Sequence, residues 1–130
     1  MDFKEPLVSV VDDDDSVREA LPDLVRLFGF DVRAFSSGTE FLDSEWLRKT
    51  ECLILDVAMP GMSGPELQEE LGRRGITTPI VFITAHKDEQ ERLSLIRSGA
   101  AACLFKPFSA IALSQTLDQI FSRRSSLESS

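Results

Sequence analysis

The feature that most constrains this chain is a rhythm of five short apolar runs, at residues 7–11, 32–35, 52–55, 80–83 and 101–105. Three of them are nearly continuous stretches of Val, Ile and Leu, too short for helices and suited to strands buried on both faces, as in a parallel sheet. Between the runs the apolar spacing changes to threes and fours. Val17, Leu21, Leu24, Val25 and Phe28 mark a first helix, with Ser16 and Glu19 as a capping box, Gly29 as its stop and Pro22 predicting a bend. Weaker spacing marks a helix over 39–47. Ser63-Gly64-Pro65-Glu66 opens another that carries Leu67 and Leu71 and ends at Gly75. A fourth covers 88–97 with Leu93 and Ile96, stopped by Gly99, and Ser109 caps a last one bearing Leu113, Leu117, Ile120 and Phe121. Strand and helix alternate five times, which predicts an α/β domain with a helix-covered parallel sheet and right-handed crossovers.

Composition removes several function classes. The 130 residues are enough for one domain with a core of its own, and 42% hydrophobic with 28% charged residues is ordinary for a globular protein. No apolar run approaches the roughly 18 residues of a membrane span. Residues 1–6 lack the basic-then-apolar layout of a secretory signal, so a cytoplasmic location is expected. A formal charge of −8 disfavours a nucleic-acid surface, which relies on Lys and Arg, and fits carboxylates gathered around a cation. Cys52 and Cys103 sit inside apolar runs and are expected to be buried small hydrophobes.

In open α/β sheets ligands bind at the carboxyl ends of the strands, so the residues there are the candidates for chemistry. The first run leads into Asp12-Asp13-Asp14-Asp15, the third into Asp56, the fourth into Thr84-Ala85-His86 and the fifth into Lys106-Pro107-Phe108; Ser36 and Ser37 after the second carry no evident chemistry. Packed carboxylates repel, and a hard divalent ion such as Mg²⁺ relieves them while leaving room for phosphate oxygens. A carboxylate can attack phosphorus to form an acyl phosphate, and an ammonium and a hydroxyl suit the charge that develops on the transferring group. Met59 and Met62 are expected to pack the loop after Asp56, and His86 to be an exposed loop residue.

These fragments in this order resemble the response-regulator receiver domain over residues 6–122. The resemblance is carried by Val10-Val11-Asp12-Asp13-Asp14, by Leu55-Asp56-Val57-Ala58-Met59-Pro60-Gly61-Met62-Ser63-Gly64, by Ile83-Thr84-Ala85 and by Lys106-Pro107-Phe108. It implies a flavodoxin-like (βα)5 sandwich with strand order 2-1-3-4-5 in a domain over 1–122, with 123–130 as a flexible tail or the start of a linker. Asp56 resembles the phosphoacceptor, and Thr84 and Lys106 the hydroxyl and lysine beside it. Asp12, Asp13 and Asp56, with the main-chain carbonyl of Ala58, resemble the Mg²⁺ ligands, and Lys106-Pro107 would be cis. Around Thr84-Ala85-His86 the chain is most similar to receivers of FixJ-type transcription factors. The implied function is acceptance of a phosphoryl group from a sensor histidine kinase or phosphotransfer protein. The response is dimerisation or effector contact through the face built from the fourth helix, fifth strand and fifth helix, where Arg92, Arg97 and Gln115 lie. The chain is then a regulator that assists its own phosphorylation and dephosphorylation rather than an enzyme. It stands alone, or its tail leads into an output domain.

Two departures qualify that resemblance. Cys103 occupies the position where the family often has an aromatic switch residue, and Phe105, on the same strand face, is expected to supply part of the missing bulk. Asp14 and Asp15 exceed what the family needs and are expected to face solvent or lead into the first helix. Asp13-x-Asp15-x-Val17 also resembles the first motif of haloacid-dehalogenase-type phosphatases, with Asp13 as nucleophile, Asp15 as general acid/base and Thr84 and Lys106 as later motifs. That alternative requires an acidic pair after the lysine, where Ser109 to Phe121 offers only Asp118, and a cap for which the chain has little room.

Overall fold

A computed structural model describes residues 5–129, with side chains through 122. The polar start at 1–4 and residue 130 of the tail lie outside the described residues. The elements are β1 (Leu7–Val11), α1 (Asp15–Leu27), β2 (Asp31–Phe35), α2 (Gly38–Leu42), β3 (Cys52–Asp56), α3 (Gly64–Arg73), β4 (Ile80–Thr84), α4 (Glu89–Arg97), β5 (Ala102–Phe105) and α5 (Ala110–Ser129). The strands form one parallel sheet in the order β2-β1-β3-β4-β5, the flavodoxin-like arrangement.

The continuous apolar runs became the interior of this sheet. All five residues of β1, β3 and β4 are buried, whereas β2 and β5 at the edges are buried only in part. Alternation along the strands divides the core. Val8, Val10, Cys52, Ile54, Val81 and Ile83 pack on one face with Leu21 and Val25 of α1 and Leu113 and Leu117 of α5. Val11, Leu53, Leu55, Phe82 and Cys103 pack on the other with Phe41 and Leu42 of α2, Leu67 and Leu71 of α3 and Leu95 of α4. Both cysteines are buried, as expected.

Local chemistry explains where the elements differ from expectation. The cap of α1 is Asp14, not Ser16: its Oδ1 accepts from the Ser16 backbone N–H at 2.9 Å and from the Ser16 hydroxyl at 2.6 Å, which puts Ser16 inside the first turn. The helix is a single element through Pro22, which is buried. The helix expected over 39–47 stops at Leu42, where the Ser44 hydroxyl donates to the Phe41 carbonyl at 2.8 Å. Leu47 is still buried and Trp46 packs on the core, which accounts for the apolar spacing beyond the helix end. In α3 the Ser63–Glu66 capping box is complete, with Pro65 in the first turn. Gly29 and Gly99 follow α1 and α4 at φ of +97° and +108°, where a side chain would be strained. α5 begins after Ser109, whose hydroxyl accepts from Ala112 N–H at 3.0 Å, and stays helical to Ser129, past the expected domain end at residue 122 and through most of the expected tail. Among the described residues no helix is long and apolar enough to cross a membrane.

Candidate functional site

The parallel sheet gathers the polar ends of four strands along one edge. Asp12 follows β1 directly, and its backbone N–H extends the ladder to the Phe35 carbonyl at 3.1 Å. Asp56 and Thr84 are the last residues of β3 and β4. Thr84 pairs in register with Phe105, and the Lys106 N–H bonds the Thr84 carbonyl at 2.7 Å, so Lys106 leaves β5 pointing along the same edge. Asp12 is fully buried, Asp56 and Thr84 are buried, and Lys106 is partly buried.

Charge placement follows from that burial. Lys106 Nζ lies 3.0 Å from Asp12 Oδ2 and 3.8 Å from Asp56 Oδ1, so one ammonium serves two carboxylates. Asp12 Oδ1 also accepts from the Asp14 backbone N–H at 2.9 Å. Carboxylate oxygens of Asp12, Asp13 and Asp56 lie within 4.8 Å of one another, with Asp13 exposed at the mouth. Burial pushes the Asp56 carboxyl from 3.8 up to about 7; the neighbouring Asp12 charge adds to the rise, while Lys106 and the Ala58 backbone N–H oppose it. The Thr84 hydroxyl accepts from the His86 backbone N–H at 3.1 Å, which ties it to its own loop.

The structure thus brings together Asp12, Asp13, Asp56 and Lys106, while Thr84 ends the neighbouring strand with its hydroxyl held by the His86 N–H. Ala58 is exposed on the loop after β3, and Lys106–Pro107 is cis. Met59 is buried in the core and Met62 packs against it. His86 is exposed, its Nδ1 3.3 Å from Glu91 Oε2. Asp15 lies on the open surface of α1 in an ion pair with Arg18, away from a general acid/base role.

Two contributors went unrecognised in the sequence. Arg18 Nη1 donates to the Asp12 carbonyl at 2.8 Å and braces the turn that presents Asp12 and Asp13. Gly64 lies so close beneath β3 that a Cβ there would be 2.5 Å from the Asp56 carbonyl oxygen and 3.0 Å from the Phe82 ring. Its place after Ser63 signals only a helix start; the close approach depends on how the loop after β3 folds α3 back under the strand.

Comparison with known proteins agrees with this geometry. The profile of the response regulator receiver domain matches residues 8–118. The response regulator protein TmoT of Ectopseudomonas mendocina is 44% identical over 108 residues, 83% of this chain and 49% of that protein. The transcriptional regulatory protein FixJ of Azorhizobium caulinodans is 40% identical over 106 residues, 82% and 50% of the two chains. The solved structure of the response regulator StyR superposes with a TM-score of 0.82 at 43% identity, covering 96% of this chain and 65% of that one. The chain spans about half the length of the curated relatives it matches. Nothing in this kinship favours the dehalogenase-type alternative with Asp13 as nucleophile. A profile match over nearly all of the folded chain, joined to relatives of this identity, makes it a member of the response regulator receiver domain family of two-component signalling.

Proposed function

We propose that Asp56 is the phosphoacceptor, and that the observation carrying this is its position: a buried carboxylate at a strand end, inside an oxygen cluster, within 3.8 Å of the Lys106 ammonium. The donor is a phosphohistidine on a sensor kinase or phosphotransfer protein. An Asp56 oxygen attacks phosphorus, the P–N bond breaks, and the imidazole leaves with the electron pair. Lys106 is placed to meet charge developing on the phosphoryl oxygens, and the Thr84 hydroxyl, released from His86 N–H, turns toward the same group. Water attack on phosphorus later frees inorganic phosphate and restores the carboxylate, so the chain assists its own reset.

The donor set fits Mg²⁺. Asp12, Asp13 and Asp56 offer only hard oxygen ligands, they converge closely enough to share one ion, and their mutual repulsion calls for a cation beyond Lys106. Asp12, Asp13 and Asp56 would hold it, with the Ala58 carbonyl as a further ligand. When bound it neutralises the acidic cluster and the incoming phosphoryl oxygens. The response is carried through the face of α4, β5 and α5 to a second copy or an effector, in a cytoplasmic protein. The chain itself contributes no nucleic-acid contact, in keeping with its −8 charge.

The test is mass spectrometry after incubation with acetyl phosphate and Mg²⁺. Wild type gains one phosphoryl group, located on Asp56 by peptide mapping, and Asp56→Asn gains none. Equal labelling of the two, or label on Asp13, would overturn the assignment.

A further inference from the structure

We propose that His86, Asp88 and Glu91 form a second cation site, of the transition-metal type, whose occupancy holds the β4–α4 loop as it stands and opposes phosphorylation of Asp56. The three side chains bring one imidazole nitrogen and two carboxylate oxygens within 4.8 Å of one another. His86 Nδ1 and Glu91 Oε2 are 3.3 Å apart, the edge length of a tetrahedron with metal–ligand bonds of about 2.0–2.1 Å. Asp88 is oriented in advance, because capping α4 fixes its Oδ1 on the backbone N–H groups of Gln90 and Glu91. Arg92 is drawn to Glu89 at 2.6 Å, while Glu91 faces His86.

Ligand chemistry separates this site from the acidic one. Asp12, Asp13 and Asp56 supply oxygen alone and suit Mg²⁺, whereas an imidazole with two carboxylates suits Zn²⁺, Ni²⁺ or Co²⁺. Three protein ligands leave a position for water.

The coupling runs through one residue. His86 contributes its ring to the proposed site and its backbone N–H to the Thr84 hydroxyl. A metal that joins the His86 ring to Asp88 and Glu91 fixes residue 86 against α4, and so retains Thr84 in the loop rather than at the phosphoryl group. This coupling rests on the assignment of Asp56 and Thr84 given above; the metal site itself does not. The same linkage predicts that the phosphorylated chain binds the metal more weakly.

Calorimetric titration with ZnCl2 in saturating MgCl2, supported by the visible spectrum of the Co²⁺-loaded chain, tests the site. One equivalent should bind to wild type and to Asp13→Asn, and binding should be lost in His86→Ala, which keeps the backbone N–H that holds Thr84. Equal binding by wild type and His86→Ala overturns the site, as does binding lost only in Asp13→Asn. Zinc should slow labelling of wild type by acetyl phosphate about fivefold or more, the lower range of ordinary coupling, and leave His86→Ala unchanged; no slowing, or equal slowing of both, overturns the coupling. Failure of zinc-free wild type to accept phosphate would instead tell against the Asp56 assignment, with the titration still deciding the metal site.

Discussion

The centre of the sheet and its β5 edge are built to different standards. β3 and β4, which end in Asp56 and Thr84, are buried at every residue, and α3 beneath them buries Gly64, Leu67 and Leu71. β5 buries only Cys103, and α4 beside it buries only Leu95. Elements with few buried apolar contacts are the ones that open or shift at low free-energy cost. The contrast matches the roles proposed above: Asp56 and Thr84 end the well-buried central strands, and the face proposed to respond lies at the less buried edge.

Truncating one core leucine in each region tests that contrast most severely. Leu67→Ala should cost about 3–4 kcal/mol, since its side chain is fully enclosed under β3 and β4, and Leu95→Ala about 2 kcal/mol. Chemical denaturation of both variants measures the difference. Hydrogen exchange should also show α4 opening locally in Leu95→Ala while α3 amides exchange only with global unfolding. Equal losses, with α3 and α4 exchanging together, would erase the distinction.

The rigidity of the centre can be probed through its backbone. Gly64→Ala places a Cβ against the Asp56 carbonyl and the Phe82 ring, neither of which can swing aside, and should cost about 2–3 kcal/mol. Gly38→Ala places a Cβ 2.9 Å from Met62 Sδ, the far end of a flexible side chain, and should cost about 1 kcal/mol or less. Gly64→Ala should also slow phosphorylation, because the clash bears on the carbonyl of Asp56, the proposed acceptor. A fall in thermal stability for Gly38→Ala as large as for Gly64→Ala would show that the centre yields more readily than its packing implies.

The buried carboxylate at the centre sets a pH dependence of its own. With the folded Asp56 carboxyl raised to about 7 from 3.8, the metal-free fold holds this proton more tightly than the unfolded chain does. The associated stability is fully present below pH 3.8 and is lost as pH rises through about 7. Asp56→Asn carries no such charge, so its advantage over wild type should grow across that window and level off above it. Mg²⁺ should shrink the gap by stabilising the ionised wild type. Urea midpoints of the two proteins at several pH values, with and without Mg²⁺, measure it; a constant gap would mean that Asp56 titrates normally.

Much of this was legible before any coordinates, and the reason lies in particular residues. Leu53, Ile54 and Leu55 form an uninterrupted apolar run that can only be an interior strand, and Asp56 then falls at its carboxyl end, where a parallel sheet puts ligands. The same logic found Asp12, Thr84 and Lys106. What escaped depends on how turns fold the backbone back on itself or on competing local hydrogen bonds. Gly64 reads as a helix start until the Asp56 carbonyl is seen against it, and Arg18 reads as a surface residue until the turn after β1 brings the Asp12 carbonyl within reach. Asp14 displaced Ser16 as a cap, and Ser44 ended α2 early, because short polar side chains offer the backbone alternatives that apolar spacing does not register.

Phe105 gives the smallest expected change in stability and the sharpest question about the edge. It is partly exposed at the end of β5, two residues beyond Cys103 on the same face, and pairs in register with Thr84. Phe105→Ala should therefore cost about 1 kcal/mol or less, well below a core truncation. If its ring supplies the bulk that Cys103 lacks, the variant should accept phosphate at the wild-type rate yet dimerise less when phosphorylated, a loss of response without a loss of chemistry. Light scattering of the two chains treated with acetyl phosphate reads this directly. Dimerisation unchanged in Phe105→Ala would assign the response to α4 and α5 alone, leaving β5 as a spacer between them.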